Sequence, residues 1–157
     1  MSTRSTVHDT FVIERRFAYE PALVFEAWSS GEAKSHWFVG PSDWESLHRE
    51  LQFRVGGRER LVGRRPGGKL SSFDAHYYDI VPHERIVYAY EMRQDDVRIS
   101  VSLATVEFKE EPGGTRLIVT EQGVFIDGFD DARGRERGTQ LLIDQLERAL
   151  GRASRQP

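Results

Sequence analysis

A glutamate on an otherwise apolar strand face is the residue in this sequence best suited to chemistry. Glu121 follows Leu117 and Val119 at alternating positions, so the three side chains are predicted to share one face of a strand. If that face lines a cavity, desolvation would raise the pKa of the Glu121 carboxyl, which could then bind or deprotonate a ligand. The alternatives are a carboxylate paired with an arginine, as buried carboxylates usually are, or a strand register that breaks before Glu121.

Tyrosine, arginine and histidine supply the other candidate polar groups. Tyr88 and Tyr90 alternate with Val and Ala, and predict either an aromatic wall carrying hydroxyls or core tyrosines bonded to the backbone. Arg54 could hold an anionic ligand group through two parallel hydrogen bonds, or it could be exposed or paired with a neighbour such as Glu50. His76 has a pKa suited to proton transfer, although a lone histidine is more often structural.

Small residues on one strand and one helix indicate either room for a ligand or close packing between the two elements. Ser100, Ser102 and Ala104 alternate along a strand, whereas Gly134 and Gly138 lie four apart on a predicted helix. The strand residues either leave room for a ligand or accommodate the helix glycines. Because glycine costs helix stability, the two glycines predict a close approach to another part of the chain.

The composition argues against several kinds of site. The 157 residues contain no cysteine, which excludes disulfides, thiolate metal sites and cysteine nucleophiles. The five histidines lack metal-ligand spacing, and no motif predicts a metal or a cofactor. A net charge of −3 gives no electrostatic footprint for nucleic acid. No signal peptide or membrane span is visible, so the cytoplasm is the expected location.

An α+β fold is predicted to position these residues, as a single domain over residues 10–150 with tails at 1–9 and 151–157. A strand at 10–17 leads through Glu20-Pro21 into a helix that ends near Trp28, and a second short helix spans 32–38. Further strands are predicted at 46–54, 58–64, 72–81, 84–92, 98–110 and 115–122. The last helix is predicted to be capped by Asp130 or Asp131 and to end near Leu150 and Gly151. Its predicted buried stripe consists of Leu141, Leu142, Gln145, Leu146 and Ala149.

The order and spacing of these segments resemble the START and birch-pollen-allergen superfamily, which has the helix-grip fold. The most similar branch contains the homologues of the activator of the 90-kilodalton heat-shock protein ATPase. The resemblance covers residues 10–150 and rests on the Pro-led first helix, the Trp37 helix, Phe-Arg-Val-Gly-Gly at 53–57, the segment 80–87 and the Gly-Gly-Thr-Arg-Leu hairpin at 113–117. Two positions depart from the branch, which usually has Asp where Gln52 stands and Trp where Thr139 stands.

This resemblance implies a curved antiparallel sheet of about seven strands wrapped around a long C-terminal helix. A cavity is expected between sheet and helix, with the two short helices that follow the first strand closing one end. The residues expected to bind a ligand there are Trp37, Phe38, Arg54, Tyr88, Tyr90, Ser102, Val119, Glu121, Phe125 and Leu142.

Three functions fit this expectation. The first is a binding protein for a small hydrophobic, aromatic or lipid-like ligand, which needs only the cavity. The second is a cyclase or hydrolase acting on an aromatic or polyketide-like substrate, with Glu121 and a tyrosine or His76 as acid and base. The third is a co-chaperone partner of a heat-shock ATPase, for which we expect no stimulation of the ATPase. Homodimer formation is left open.

Overall fold

A seven-stranded antiparallel sheet forms the frame of the molecule. The computed structural model describes residues 3–155. Its strands are β1 (Thr6–Phe17), β2 (Glu45–Leu51), β3 (Arg58–Arg64), β4 (Leu70–Val81), β5 (Arg85–Gln94), β6 (Val97–Glu111) and β7 (Gly114–Ile126). The order in the sheet is β1-β7-β6-β5-β4-β3-β2, so β2 to β7 form a meander and β1 pairs with β7. The predicted antiparallel sheet is confirmed.

Three helices complete the predicted α+β helix-grip fold. They are α1 (Pro21–Ser29), α2 (Gly31–Ser35) and α3 (Ala132–Ser154). Pro21 occupies the first turn of α1, where its missing N–H has no helical partner to lose. Asp131 caps α3, because its carboxylate accepts a hydrogen bond of 2.7 Å from the Gly134 backbone N–H. None of the described helices is long and apolar enough to span a membrane.

The elements differ from their predicted bounds mainly at the ends of the chain. β1 begins at Thr6 rather than Thr10, because residues 6–9 pair with residues 123–126 of β7. The pairing makes part of the predicted N-terminal tail a strand, and extends β7 beyond its predicted end. α3 similarly continues to Ser154, inside the predicted C-terminal tail. Residues 1–2 and 156–157, at the ends of those tails, lie outside the described residues.

A tight turn at two glycines ends β2 at Leu51 rather than at the predicted Arg54. Gly56 has a φ of 83°, which favours glycine. At Gly57 a Cβ atom would lie 2.0 Å from the Gln52 carbonyl oxygen, so a side chain cannot be accommodated. The chain therefore leaves β2 and turns directly into β3.

The concave face of the sheet buries one side of α3. Ile143, Leu146 and Leu150 are buried in the same hydrophobic core as the inward residues of the strands. Leu142 packs at the edge of this core, but Leu141 is 64% exposed, so its predicted place in the buried stripe is wrong. At about 100° per residue, Leu141 lies roughly 140° around the helix from Leu146.

Candidate functional site: a cavity between the sheet and the last helix

A cavity of about 810 Å³ lies between the inner face of the sheet and α3. Residues of β5 and β7 line its inner wall, and residues of α3 from Gly134 to Arg148 line the opposite side. The cavity reaches the surface between α3 and the loop after α2, where exposed Pro41, Ser42 and Leu141 line it; we call this region the cavity mouth. A volume of this size lies within the range of small-molecule sites, roughly 300–1,000 Å³.

Aromatic side chains form the frame around which the cavity is built. Ten rings make a closed circuit of contacts, with neighbouring centroids between 4.7 and 6.3 Å apart. In order they are Phe25, Phe53, Tyr77, Tyr88, Tyr90, Phe73, Phe38, Trp37, Trp28 and Phe108. Seven of these contacts are edge-to-face and three are tilted, and such contacts hold rings in fixed orientations. Six of the ten rings line the cavity, and the other four pack behind them.

The structure brings together most of the residues predicted to bind a ligand. Those that line the cavity are Trp37, Phe38, Tyr88, Tyr90, Val119, Glu121 and Leu142. Ser102 and Phe125 are buried but are absent from the lining. The alternating residues of β5 and β7 that were predicted to share one face therefore lie on the face of the sheet that lines the cavity.

Arg54 and His76 lie outside the cavity. Arg54 follows the end of β2 and is exposed, since the turn at Gly56 and Gly57 carries its side chain to solvent. His76 is exposed on β4, because its neighbours Ala75 and Tyr77 take the inward positions. Neither residue can contribute to chemistry in the cavity in this arrangement.

One end of the cavity carries a group of hydrogen-bonded polar side chains, which we call the polar cluster: Tyr90, Ser100, Glu121, Asp130 and Arg135. The Tyr90 hydroxyl donates to Glu121 Oε1. Arg135 Nη1 donates to the Tyr90 oxygen at 3.1 Å, and Arg135 Nη2 donates to Ser100 Oγ at 2.8 Å and to Asp130 Oδ2 at 3.0 Å. The cluster thus joins β5, β6 and β7 to the first turn of α3.

Burial sets the protonation of the two central groups. Desolvation raises the pKa of Glu121, against the opposing effects of the Tyr90 hydrogen bond and the Arg135 charge. Desolvation and the neighbouring Glu121 charge also raise the pKa of Tyr90, so this hydroxyl keeps its proton at neutral pH. Of the two groups, Glu121 is therefore the one whose pKa is shifted toward neutral pH, the direction predicted for a carboxyl on an apolar strand face.

Several polar atoms on the residues that line the cavity, among them the Tyr88 hydroxyl, have no hydrogen-bond partner among residues 3–155. Glu121 Oε2 accepts no hydrogen bond from a described residue and is not sealed from the cavity, whereas Oε1 is bonded to Tyr90. The indole N–H of Trp28 is a buried donor without a partner in the same part of the chain. Because surrounding atoms seal this nitrogen, a ligand in the cavity does not reach it. An unpaired atom that faces the cavity, such as Glu121 Oε2, marks a position that a ligand can satisfy.

Gly138 lies beside the cavity for a reason opposite to the one predicted. A Cβ atom at Gly138 would meet nothing within 4 Å, so the predicted close approach is wrong at this position. Gly134 is more restricted, because a Cβ there would lie 3.2 Å from the carboxylates of Asp130 and Asp131. At Gly138 the missing side chain leaves cavity volume next to α3.

Polar contacts hold the segment that covers the other end of the cavity. Gln145 Nε2 on α3 donates to the Trp37 carbonyl at 2.6 Å and to the Val39 carbonyl at 3.4 Å. Arg49 Nη2 on β2 donates to the Phe38 carbonyl at 2.6 Å. Because these contacts come from α3 and from the sheet, residues 37–39 connect the two walls of the cavity.

The sequence analysis did not identify the buried pair of Lys34 and Glu59, or the role of Arg135. Lys34 on α2 is buried and pairs with Glu59 on β3, and Tyr77 also donates to this carboxylate. Arg135 is one of several arginines near the start of α3, and its spacing to Leu142 and Leu146 is the signal that could have placed it on the inner face. No local pattern distinguishes Lys34 from an exposed lysine.

No group of three or more His, Cys, Asp or Glu side chains within residues 3–155 is arranged to hold a metal ion. The chemistry available in the cavity is that of the polar cluster, which can accept hydrogen bonds and transfer protons, and of the aromatic walls.

The fold and the cavity define a helix-grip protein with an internal site of ligand size. Residues 18–151 match the family described as Activator of Hsp90 ATPase homolog 1-like protein. The chain belongs to this family, which is part of the helix-grip superfamily.

Solved structures share the fold of this chain. A protein from Rhizobium leguminosarum is 50% identical, with 95% of this chain and 98% of that chain covered and a TM-score of 0.91. A protein from Rhizobium loti is 40% identical, with coverage of 92% and 99% and a TM-score of 0.86. An AHSA1-like protein from Aeromonas hydrophila shares the fold at 22% identity, with coverage of 93% and 94% and a TM-score of 0.72. No curated protein matches the chain.

Proposed function

We propose that this protein binds a small hydrophobic, aromatic or lipid-like molecule in the cavity between the sheet and α3. The observation that carries the proposal is a cavity of about 810 Å³ with largely aromatic walls, on which Glu121 Oε2 has no hydrogen-bond partner among the described residues. Mostly apolar walls with a few polar groups are typical of small-molecule sites. The fold family supports the same proposal, since helix-grip proteins commonly bind ligands.

The test is whether filling the cavity from α3 abolishes binding. The probe is Nile red, a neutral dye that fluoresces in apolar surroundings, and we expect the native protein to bind it. Gly138→Trp should remove binding because the new side chain enters the open volume beside α3. A second filling variant, Leu142→Trp, covers the case in which the first indole turns outward.

Gln140→Trp is the matched control, because Gln140 is exposed on the same helix and does not line the cavity. This variant should bind the dye like the native protein. Equal dye binding by all four proteins would place the dye on the surface and contradict the proposal. Native mass spectrometry of the purified protein, followed by denaturing extraction, would identify any molecule that it carries.

An enzyme acting in the same cavity is the second candidate, and the Tyr90–Glu121 contact favours it. A carboxyl of raised pKa within hydrogen-bond reach of a tyrosine is a suitable acid–base pair for a cyclase or hydrolase. The exposed position of His76 restricts this candidate to Glu121 and Tyr90. Aryl esters and lactones are suitable test substrates, and hydrolysis that survives unchanged in both Glu121→Gln and Tyr90→Phe would contradict it.

Several other expectations remain predictions. We propose a cytoplasmic location, no binding of nucleic acid and no cofactor. We also propose that any homodimer leaves the cavity of each copy complete, since this chain supplies all the walls described. For the heat-shock ATPase named in the family description, we still expect no stimulation.

A further inference from the structure

We propose that the ligand presents a hydrogen-bond donor, either a hydroxyl or a protonated amine, on a ring-bearing apolar body, and that Glu121 Oε2 accepts this donor. This inference rests on the proposed function and specifies the chemistry of the molecule bound. It follows from the directions of the hydrogen bonds in the polar cluster, from its charge, and from the rings around it.

The hydrogen bonds leave an acceptor facing the cavity. The Tyr90 proton is committed to Glu121 Oε1, and the Tyr90 oxygen accepts from Arg135. Within the polar cluster, Glu121 Oε2 is the oxygen that remains without a partner among the described residues. The Tyr88 hydroxyl beside it also has none, but a hydroxyl can donate as well as accept. An ether or ketone offers only lone pairs, so it would leave the ionised carboxylate unsatisfied in an apolar site.

The charge of the cluster favours the same class of ligand. Arg135 forms its ion pair with Asp130 at 3.0 Å, and no described cation forms an ion pair with Glu121. With Glu121 ionised, the two carboxylates and one guanidinium leave an excess of one negative charge. A donor, and a cationic donor above all, offsets this excess.

The rings beside Glu121 support the same preference for a ligand that carries a hydrogen-bond donor. Tyr88, Tyr90 and Phe73 line the same cavity, and the faces of aromatic rings carry partial negative charge. Arg135 already uses this property, with its guanidinium 5.6 Å from the centre of the Tyr90 ring and 5.4 Å from that of Phe125. A hydroxyl or ammonium group is stabilised near such faces, whereas an oxygen lone pair is repelled.

Because Glu121 titrates, the preference for ligand donors should depend on pH, and the direction of the change can be stated. The charged and titratable groups facing Glu121 are Tyr88 and Tyr90 from β5, Arg135 from α3 and Asp130 from the segment before α3, whereas its partners on β1 and β6 are Phe11 and Ala104. Protonation of Glu121 converts Oε2 from an acceptor into a donor site. The preference for ligand donors should therefore weaken as the pH falls through the raised pKa of Glu121.

The experiment compares three probes that share one ring system: hydroxypyrene, pyrenylmethylamine and methoxypyrene. Trp28, Trp37 and Trp44 all line the cavity, so quenching of tryptophan fluorescence reports probe binding there. At neutral pH we expect the two donors to bind roughly tenfold more tightly than methoxypyrene, the effect of one unsatisfied buried acceptor.

Glu121→Gln is the decisive variant, because its amide oxygen can accept from Tyr90 while its NH₂ group faces the cavity. The donor advantage should then fall to about threefold or less, and the pH dependence should disappear. Glu110→Gln on the exposed end of β6 is the matched control and should behave like the native protein. Rescue of methoxypyrene binding in Glu121→Gln is an effect that general destabilisation would not produce.

The outcomes separate this inference from the proposed function. Equal affinity of the three probes for the native protein, or a donor preference that survives in Glu121→Gln, would overturn the inference while leaving a binding cavity. Failure of all three probes when the dye still binds would also overturn it, since the matching group would confer no affinity. If neither the dye nor any pyrene binds, the proposed function itself fails.

Discussion

The ammonium group of Lys34 lies 2.7 Å from the carboxylate of Glu59, and both side chains are almost completely buried. The Tyr77 hydroxyl donates to the same carboxylate oxygen at 2.6 Å. The Lys34 ammonium also lies 4.4 Å from the centre of the Phe38 ring. The pair connects α2 to β3 directly behind the aromatic residues that close the cavity. Desolvation lowers the pKa of Lys34, and the charge of Glu59 opposes this change.

Removing one partner of this pair should be strongly destabilising. Lys34→Met leaves the Glu59 charge buried without its cation, and we expect the free energy of unfolding to fall by about 3–5 kcal/mol. Urea unfolding at neutral pH measures the change. The double variant Lys34→Met/Glu59→Leu should recover part of the loss, because no uncompensated charge remains although the Tyr77 hydroxyl loses its acceptor.

An exposed ion pair provides the control for that experiment. Arg116 and Glu14 are 2.7 Å apart on neighbouring strands, with side chains 36% and 49% exposed. Arg116→Met should change the free energy of unfolding by about 1 kcal/mol or less. A similar loss in Arg116→Met and Lys34→Met would contradict the view that burial determines the cost.

The hydrogen bonds from Gln145 to residues 37–39 should limit local opening of this segment away from α3. Gln145→Leu removes the donor to the Trp37 and Val39 carbonyls, and we expect a loss of about 1 kcal/mol in unfolding free energy. Hydrogen exchange of the Phe38 amide, which donates to the Lys34 carbonyl at 2.8 Å, should accelerate more than exchange in the strands. Gln140→Leu, at an exposed position of α3, should leave both quantities unchanged.

Glu121 should make the protein less stable at neutral pH than at mildly acid pH. Its native-state pKa is raised above 4.5, so between pH 4.5 and that pKa the folded protein holds the proton more tightly than the unfolded chain. By linkage, the contribution of Glu121 to stability falls as the pH rises through this window. Glu121→Gln removes that loss while keeping an acceptor for Tyr90.

Urea unfolding of native protein and Glu121→Gln across pH 4.5 to 8 tests this sign. The variant should gain stability relative to the native protein as the pH rises. Only the native protein has a carboxylate in the cavity whose ionised form is destabilised by desolvation. A difference that stays constant with pH, or that changes in the opposite direction, would mean that Glu121 is stabilised in its charged form.

The strand faces were predictable because alternation is a local property of the sequence. Leu117, Val119 and Glu121 share one face whatever the partner strands are, and the register of β7 with β1 and β6 placed that face inward. The same reasoning placed Tyr88 and Tyr90 correctly. Both strands lie inside the sheet, where an inward face must be buried.

Long-range pairing was not predictable from local pattern. Lys34 is hydrogen-bonded to Glu59, twenty-five positions along the chain, and Arg135 to Tyr90, forty-five positions away. Their burial depends on how α2 and α3 cross the sheet, which no spacing in the sequence records. Arg54 shows the converse: its motif is conspicuous, but the turn at Gly56 and Gly57 directs it to solvent.

The packing of α3 against the sheet can be tested by changing two leucines of this helix to alanine, each in a separate variant. Leu146 is fully buried in the core, and Leu146→Ala should lower the free energy of unfolding by about 2–5 kcal/mol through lost burial and the space left behind. Leu141 is 64% exposed at the cavity mouth, so Leu141→Ala should cost about 0.5 kcal/mol or less. Denaturant melts measure both, and since helix propensity changes equally in the two variants, the difference isolates packing. A loss well under about 1 kcal/mol at Leu146 would show that the helix is not held against the sheet.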